Sequence, residues 1–295
     1  MDQSLPLEEY ANALERSGQY RVLRRLPALN FKGRSALPNE RVVAIIDTET
    51  TGLDSSSDDV IEFAGIAFAY DIDGRFISAL SSISQLQEPH SPISKEITQL
   101  TGISDTMVKG KSFDIHAIEE FIQSADLIVA HNAAFDRPFC EKISKEFINK
   151  PWACSANEID WRALGYEGAK LTYLVNSSGW FFDAHRALDD CRALAKVLST
   201  EISTDVPYTP FGHLLASARE VRWRISLSAP YGLRMSLRER GFRWKSGQED
   251  KAGKWTGEFS EVDARDLTDW LTSTLGIKQA AISVDRITAF ERYRS

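Results

Sequence analysis

The chain has 295 residues, 43% of them apolar, 26% charged and 10% aromatic, which is the composition of a folded globular protein and excludes a disordered or fibrous chain. Three cysteines without CxxC spacing exclude a zinc clip or a disulfide framework and favour a reducing cytoplasm, and no stretch reads as a secretion signal or a membrane span. The net charge of −7 is unevenly spread: residues 1–208 carry 20 Lys+Arg against 31 Asp+Glu, whereas residues 209–260 carry 10 against 5.

Residues 1–40 read as an N-terminal helix and lead-in. Leu7, Tyr10, Ala11 and Leu14 have helical spacing within 7–20 and predict a helix packed on the main domain, followed by a loop containing Pro27, Gly33 and Pro38. The main domain is expected over 41–202. Its β-branched run VVAII is too short for a helix and predicts a buried strand that ends in the acidic stretch DTETTG. VIEFAGIAFAYD and RFISALSSISQ predict two more strands joined by a turn at Asp73-Gly74, so the domain opens with an antiparallel meander. Helices near 113–124, 134–147 and 184–200 then alternate with a strand at DLIVA, 126–130. Meander first and helices after predicts an α/β fold, a mixed sheet flanked by helices.

STDVPYTPFG has two prolines and a glycine and predicts a linker at 203–212. Beyond it, residues 213–295 follow the order β-α-β-β-α-β, predicting a small α+β accessory domain of ferredoxin-like type.

Four acids and one imidazole stand out. The two-residue period of a strand places Asp47 and Glu49 on one face, where both carboxylates reach one hard cation, and turns Thr48 away. Asp136 follows the second buried strand in LIVAHNAAFDRPF, and His185 and Asp190 lie five apart in FDAHRALDDCRAL. Taken singly these residues have ordinary roles: an Asp near a helix start caps it or meets its dipole, Asp189 and Asp190 form a solvated pair, and His131 structures a turn.

Together, DTETTG, HNAAFD and HRALDD resemble the three motifs of the DEDDh 3′→5′ exonucleases, a family that includes the proofreading epsilon subunit of bacterial DNA polymerase III and ribonuclease T. The resemblance spans roughly residues 41–200. It includes ITQLTGISDTMV, which is similar to a linker between blocks of secondary structure in that family. It implies a ribonuclease-H-like domain in which Asp47, Glu49, Asp136 and Asp190 hold two Mg²⁺ or Mn²⁺ ions and His185 is the general base. It also implies that Thr50, Thr51, Gly52 and Leu53 cradle the terminal nucleotide. The five-residue spacing from His185 selects Asp190 over Asp189. The chemistry is consistent: paired cations activate water and stabilise the leaving oxygen, and an imidazole with an ordinary pKa near 6.5 accepts the proton near neutrality.

The activity so implied is hydrolysis at 3′ ends of single-stranded DNA, proofreading or repair in type, with release of nucleoside monophosphates and with a polymerase as a candidate partner. RNA 3′-end trimming is the rival within the same chemistry, since only contacts to the 2′-OH separate the sugars. A binding module with an inactive site is the rival outside it, and the presence of all five motif residues argues against that reading. In the accessory domain, seven basic residues from Arg222 to Lys245 interleave with Trp223, Tyr231, Phe242, Trp244 and Trp255. They read either as a nucleic-acid surface with stacking aromatics or as the buried face of a strand through Val221, Trp223, Ile225 and Leu227.

Overall fold

The computed structural model describes residues 6–31, 34–202, 209–245 and 253–294; Gly33 and residues 203–208 of the expected linker lie outside that set. The chain divides into two compact units, Met1–Ser217 with Tyr293–Ser295, and Ala218–Arg292.

In the first unit α1 (Leu7–Arg16) precedes the two-residue strand β1 (Arg24–Arg25). The expected packing of α1 through an apolar face is not what forms. No residue of α1 is buried and Leu7 is 87% exposed. Arg24 instead holds the helix by bonds to Glu8 at 2.8 Å and Glu15 at 3.2 Å, so its polar face is the attached one. The meander follows as β2 (Arg41–Thr50), β3 (Val60–Tyr70) and β4 (Phe76–Leu86), both pairings antiparallel.

The stretch expected as a linker is helical: α2 (Lys95–Thr101) starts on the Ser94 hydroxyl, stops at Gly102 with φ 72°, and α3 (Asp105–Val108) follows. Next come α4 (Ile115–Gln123), β5 (Leu127–Ala130), α5 (Ala133–Ile143) and β6 (Trp152–Cys154). The chain continues through α6 (Ser155–Glu158), α7 (Leu171–Ser177) and β7 (Trp180–Phe181), which pairs with β1, to α8 (Ala187–Ser199) and α9 (Pro210–Arg219).

The main sheet has the order β4-β3-β2-β5-β6, with β2, β5 and β6 parallel. Every residue of β3 is buried because helices cover both faces. One face packs Ala44, Ile46, Phe63, Ile128 and Trp152 with Ile118, Ile122 and Phe139 of α4 and α5. Gly65 lets α4 approach: a Cβ there would stand 2.6 Å from the Phe121 ring. Across the other face lies α8, with Leu194 and Leu198 buried, and each such side chain contributes roughly 1.5–3 kcal/mol.

Pro210 opens a helix where the sequence reads as linker, because Pro is tolerated at a helix start. Its neighbour Phe211 is fully buried and packs against Tyr70 and Phe76, with ring centroids at 5.1 and 4.7 Å. Gly74, at φ 80°, brings the β3–β4 turn so close that a Cβ would meet the Gly212 Cα at 2.8 Å. Residues 213–217 therefore belong with the first unit. Glu158 fastens both points where the chain leaves and re-enters that unit: it accepts from the Ser217 hydroxyl and the Tyr293 phenol, each at 2.8 Å.

The second unit contains β8 (Arg222–Leu227), α10 (Arg234–Glu239), β9 (Arg243–Lys245), β10 (Lys254–Phe259), α11 (Glu261–Ser273) and β11 (Ile282–Ile287). Its sheet order β11-β8-β10-β9, antiparallel throughout, is the ferredoxin-like arrangement for β-α-β-β-α-β. Ile225, Leu227, Phe242 and Trp255 form its core with Leu237, Leu267 and Leu271, so Phe242 and Trp255 are packing residues and not stacking platforms. Val221, expected on the buried face, precedes the strand and is 36% exposed. Among the described residues no helix is long and apolar enough to cross a membrane.

Candidate active site

The acid stretch lies in the last turn of the pleat of β2, whose burial alternates from Asp47 to Thr50. Asp47 and Glu49 project toward the start of α8, where Asp190 stands in the first turn. Carboxylate oxygens of these three residues lie within 4.8 Å of one another. Asp136, in the first turn of α5, enters from the opposite side of the strand. Thr48, expected to turn away from the acids, is what holds it: the Thr48 hydroxyl donates to Asp136 at 3.0 Å. The period of two does turn Thr48 away from Asp47 and Glu49, but toward the face that α5 covers.

All four acids line one cleft of about 380 Å³ together with His185. Its facing wall is apolar, built from Leu53, Ile97, Leu100, Phe135 and Leu171. Leu53 and Leu100 are 88% and 51% exposed, so the rim offers bare apolar surface beside a carboxylate floor.

His185 has φ 68°, a left-handed conformation that costs a non-glycine residue about 1–2 kcal/mol. Asp190 maintains it by accepting from the backbone N–H of His185 at 2.8 Å and of Arg186 at 3.1 Å. A second clamp comes from Glu62 on β3, which is 1% exposed. Its carboxylate accepts from Arg186 Nε and Nη2, each at 3.1 Å, and from the Ala187 N–H at 3.2 Å. Because the Arg186 side chain gives α8 no cap, Glu62 meets the open N–H group instead. Sequence reading missed Glu62, although a single acid inside an otherwise apolar strand was its signal.

Burial pushes the Asp47 carboxyl well above the ordinary carboxylate range, and Asp136, Asp190 and Glu49 add repulsion. Glu49 is raised to about 8, by burial first and then by Asp190 and Glu62. Burial raises Asp136 to about 7 against the hydrogen bonds from Thr48. Asp190 rises to about 6, with the N–H groups of His185 and Arg186 opposing the effect of burial. Four carboxylates thus crowd a site whose neighbouring guanidinium, Arg186, is committed to Glu62. An all-oxygen donor set with this excess of negative charge fits hard divalent cations.

Asp189 turns out of the cleft and pairs with Arg192 at 2.8 Å. Of the four residues after the acids, Thr50, Gly52 and Leu53 line the cleft, whereas the Thr51 hydroxyl accepts from the Asp59 N–H at 2.9 Å and is absent from the wall. The Thr50 hydroxyl donates to the Gly52 carbonyl at 2.6 Å and closes the turn. Gly52 is required by space, since a Cβ would stand 2.5 Å from the Asp58 carboxylate. His131 lines the cleft and bridges the elements around it. Its Nε2 donates to the Ala169 carbonyl at 2.7 Å, which leaves Nδ1 to accept from the Ser155 hydroxyl at 2.8 Å, and burial lowers its pKa.

The family model of the RNase_T exonuclease matches residues 44–198, the span that carries every one of these groups. The chain belongs to this DEDD-type 3′→5′ exonuclease family. The exonuclease domain is 32% identical over 181 residues to the PolC-type DNA polymerase III of Bacillus subtilis, covering 57% of this chain and 12% of that one. With the PolC-type enzyme of Caldanaerobacter subterraneus it shares 29% over 179 residues, 58% of this chain and 12% of the relative. The chain therefore spans about an eighth of the length of these curated relatives. Among solved structures it is similar to exonuclease X in complex with 5′ overhanging duplex DNA, at 25% identity and TM-score 0.41, covering 58% of this chain and 99% of that one. It is also similar to the zinc-bound E. coli ExoI complex with single-stranded DNA, at 15% identity and TM-score 0.47, covering 82% and 69%.

Proposed function

We propose that the first unit removes nucleotides from the 3′ ends of single-stranded DNA, depends on two divalent cations, Mg²⁺ or Mn²⁺, and releases nucleoside monophosphates. The observation that carries this reading is the convergence of Asp47, Glu49 and Asp190 within 4.8 Å, with Asp136 and His185 on the same cleft. Asp47, Glu49, Asp136 and Asp190 would hold the cations, which when bound activate water and stabilise the leaving 3′ oxygen.

The remaining work falls to the chain's own groups. His185 takes the proton of the attacking water, and its left-handed backbone, tied to Asp190, keeps the imidazole at the cleft. Gly52 and Leu53, together with Ile97 and Leu100, give the terminal base an apolar wall, so that the scissile phosphate falls on the acidic side. Thr51 supports the turn from behind. DNA as the substrate is supported by the curated relatives, which are DNA polymerase III chains. Since they carry the matched region inside a polymerase, a polymerase is the proposed protein partner. Three free, buried cysteines support a reducing, cytoplasmic setting.

Digestion of 3′-labelled and 5′-labelled DNA and RNA oligonucleotides, with and without Mg²⁺, tests polarity, sugar and cation together. His185→Ala should lower the turnover by roughly 10²–10⁴-fold while leaving cation affinity in place. Undiminished hydrolysis in excess chelator would sink the cation requirement, and faster release from RNA than from DNA would reassign the substrate.

A further inference from the structure

The register of the second unit's sheet sorts the basic segment in a way its sequence hides. Residues of β8, β9, β10 and β11 that oppose one another point to the same face, and the core residues Ile225, Leu227 and Trp255 mark the face that the helices cover. The helix-free face therefore carries Arg222, Arg224 and Ser226 from β8, Lys254, Thr256 and Glu258 from β10, Arg243 and Lys245 from β9, and Ser283, Asp285 and the buried Ile287 from β11.

Charge on this face is polarised. At one end Arg224 lies in a single row between Asp285 and Glu258, and its guanidinium bonds Glu258 at 2.8 Å. At the other end Lys245 and Lys254 are direct cross-strand partners, with Arg243 two residues along the same strand and opposite Thr256. The Arg243 guanidinium donates from Nη1 to the Phe242 and Arg238 carbonyls at 3.0 and 3.3 Å and keeps its charge unpaired by any carboxylate among the described residues. Like charges directly opposite are destabilising, because the side chains stand about 5 Å apart. Among the described residues no carboxylate pairs with Lys245, Lys254 or Arg243, and all three are exposed. Ser226, Thr256 and Ser283 continue the corner as a row of hydroxyls.

Edge protection accounts for part of this. Short edge strands carry Lys to deter pairing with other chains, and β9 has three residues. Lys254 stands on β10 and not on the edge strand, at the end of β10 where it pairs with Lys245 alone. A repulsive pair at the base of a hairpin is compensated when an anion bridges it.

We propose that the β9–β10 corner, with Arg243, Lys245 and Lys254 as its cations, binds the phosphate backbone of single-stranded nucleic acid. Among the described residues no aromatic side chain of the strands is on that face, so contact is to phosphates and is indifferent to base and sugar. Trp244 projects to the opposite face, against Trp255 at a centroid distance of 5.7 Å. The proposal rests on nucleic acid being the substrate of the first unit, and it extends that reading by naming where the uncleaved strand is held.

The test is fluorescence anisotropy of the full chain with a 5′-labelled 20-nucleotide oligothymidylate, in excess chelator so that nothing is cleaved, over 50–200 mM salt. Each phosphate contact on a single strand contributes about 0.7 to the salt slope, so Arg243→Ala/Lys245→Ala/Lys254→Ala should lower it by about 2. Across that salt range the wild type should then lose about 20-fold more affinity than the triple variant. Lys254→Glu turns the repulsive pair into an attractive one. It should keep the wild-type melting temperature or raise it while lowering the slope, which separates loss of binding from loss of folding. Arg265→Ala, on α11, should leave the slope unchanged. A wild-type slope in both corner variants overturns the proposal. So does a polyglutamate peptide of equal charge that binds the corner where the oligonucleotide does not. Because no cation or turnover is involved, a failed digestion assay and a failed binding assay are distinct results.

Discussion

Glu62→Gln keeps the shape of a buried side chain and removes the charge that Arg186 and the Ala187 N–H share. Hydrogen bonds to charged groups contribute about 1.5–3 kcal/mol and neutral ones about 1, so three contacts weaken by roughly 2–4 kcal/mol in sum. The Arg186 side chain is 40% exposed, and solvent screening brings the loss toward about 2 kcal/mol. That exceeds the lower cost of the left-handed His185 backbone, so the turn relaxes and the imidazole leaves its working position in most molecules. A 2 kcal/mol shift corresponds to about a 30-fold change in population, and we expect turnover at saturating cation and oligonucleotide to fall about 10- to 30-fold with KM unchanged. The melting temperature should drop by about 4–8 °C. Single-turnover digestion well below the melting point isolates the effect from unfolding. A variant with the lowered melting temperature but wild-type single-turnover rate would show that Glu62 supports only the fold.

The chelated protein should lose stability as pH rises from about 4.5 to about 8. Glu49, at about 8, binds protons in the folded state that the unfolded chain has released, as do Asp136 at about 7 and Asp190 at about 6. Mg²⁺ should reverse the trend, and melting curves over that range with and without cation check the sign; flat or rising stability in chelator would contradict it. Asp190→Asn should abolish hydrolysis by 10³-fold or more, whereas Asp189→Asn, which breaks only a surface bridge to Arg192, should stay within about threefold. Gly52→Ala forces the 52–58 turn apart at Asp58, and titrating substrate should show a KM raised several-fold at nearly constant cation affinity.

The acids and His185 were legible because two strand ends and a helix start each announce themselves locally, and the motif order supplies the convergence. The antiparallel meander was legible for the same reason, as was the β-α-β-β-α-β order of the second unit. What escaped depends on partners far along the chain. α9 begins in a run of Pro and Gly that locally signals a break, and only the Phe211 contacts with β3 and β4 make it a helix. Glu62 has no partner within its own segment; Arg186 lies 124 residues away. The sequence left two readings of the basic segment open, and register sorts its residues: Arg224 is neutralised by Glu258, 34 residues later, while among the described residues no carboxylate pairs with the corner cations. Trp255 and Phe242 became core because a unit of this size has few other large side chains with which to fill it.

The attachment of both crossing points to Glu158 bears on how the two units are wired. Ser217 and Tyr293 hold the ends of the intervening chain at one carboxylate, so Ala218–Arg292 is a loop closed at its neck and not a tail. Cutting the chain after residue 206 would strip α9 and Tyr293 from the nuclease itself, while replacing 218–292 by a short bridge would leave its framework whole. A closed neck also means that melting the inserted unit would release a tethered ring, whose ends remain joined and whose gain in entropy grows only with the logarithm of its length. Such a cassette can be exchanged for another of different size with little penalty to its host, and the natural place to graft a foreign domain onto this nuclease is between Ser217 and Tyr293.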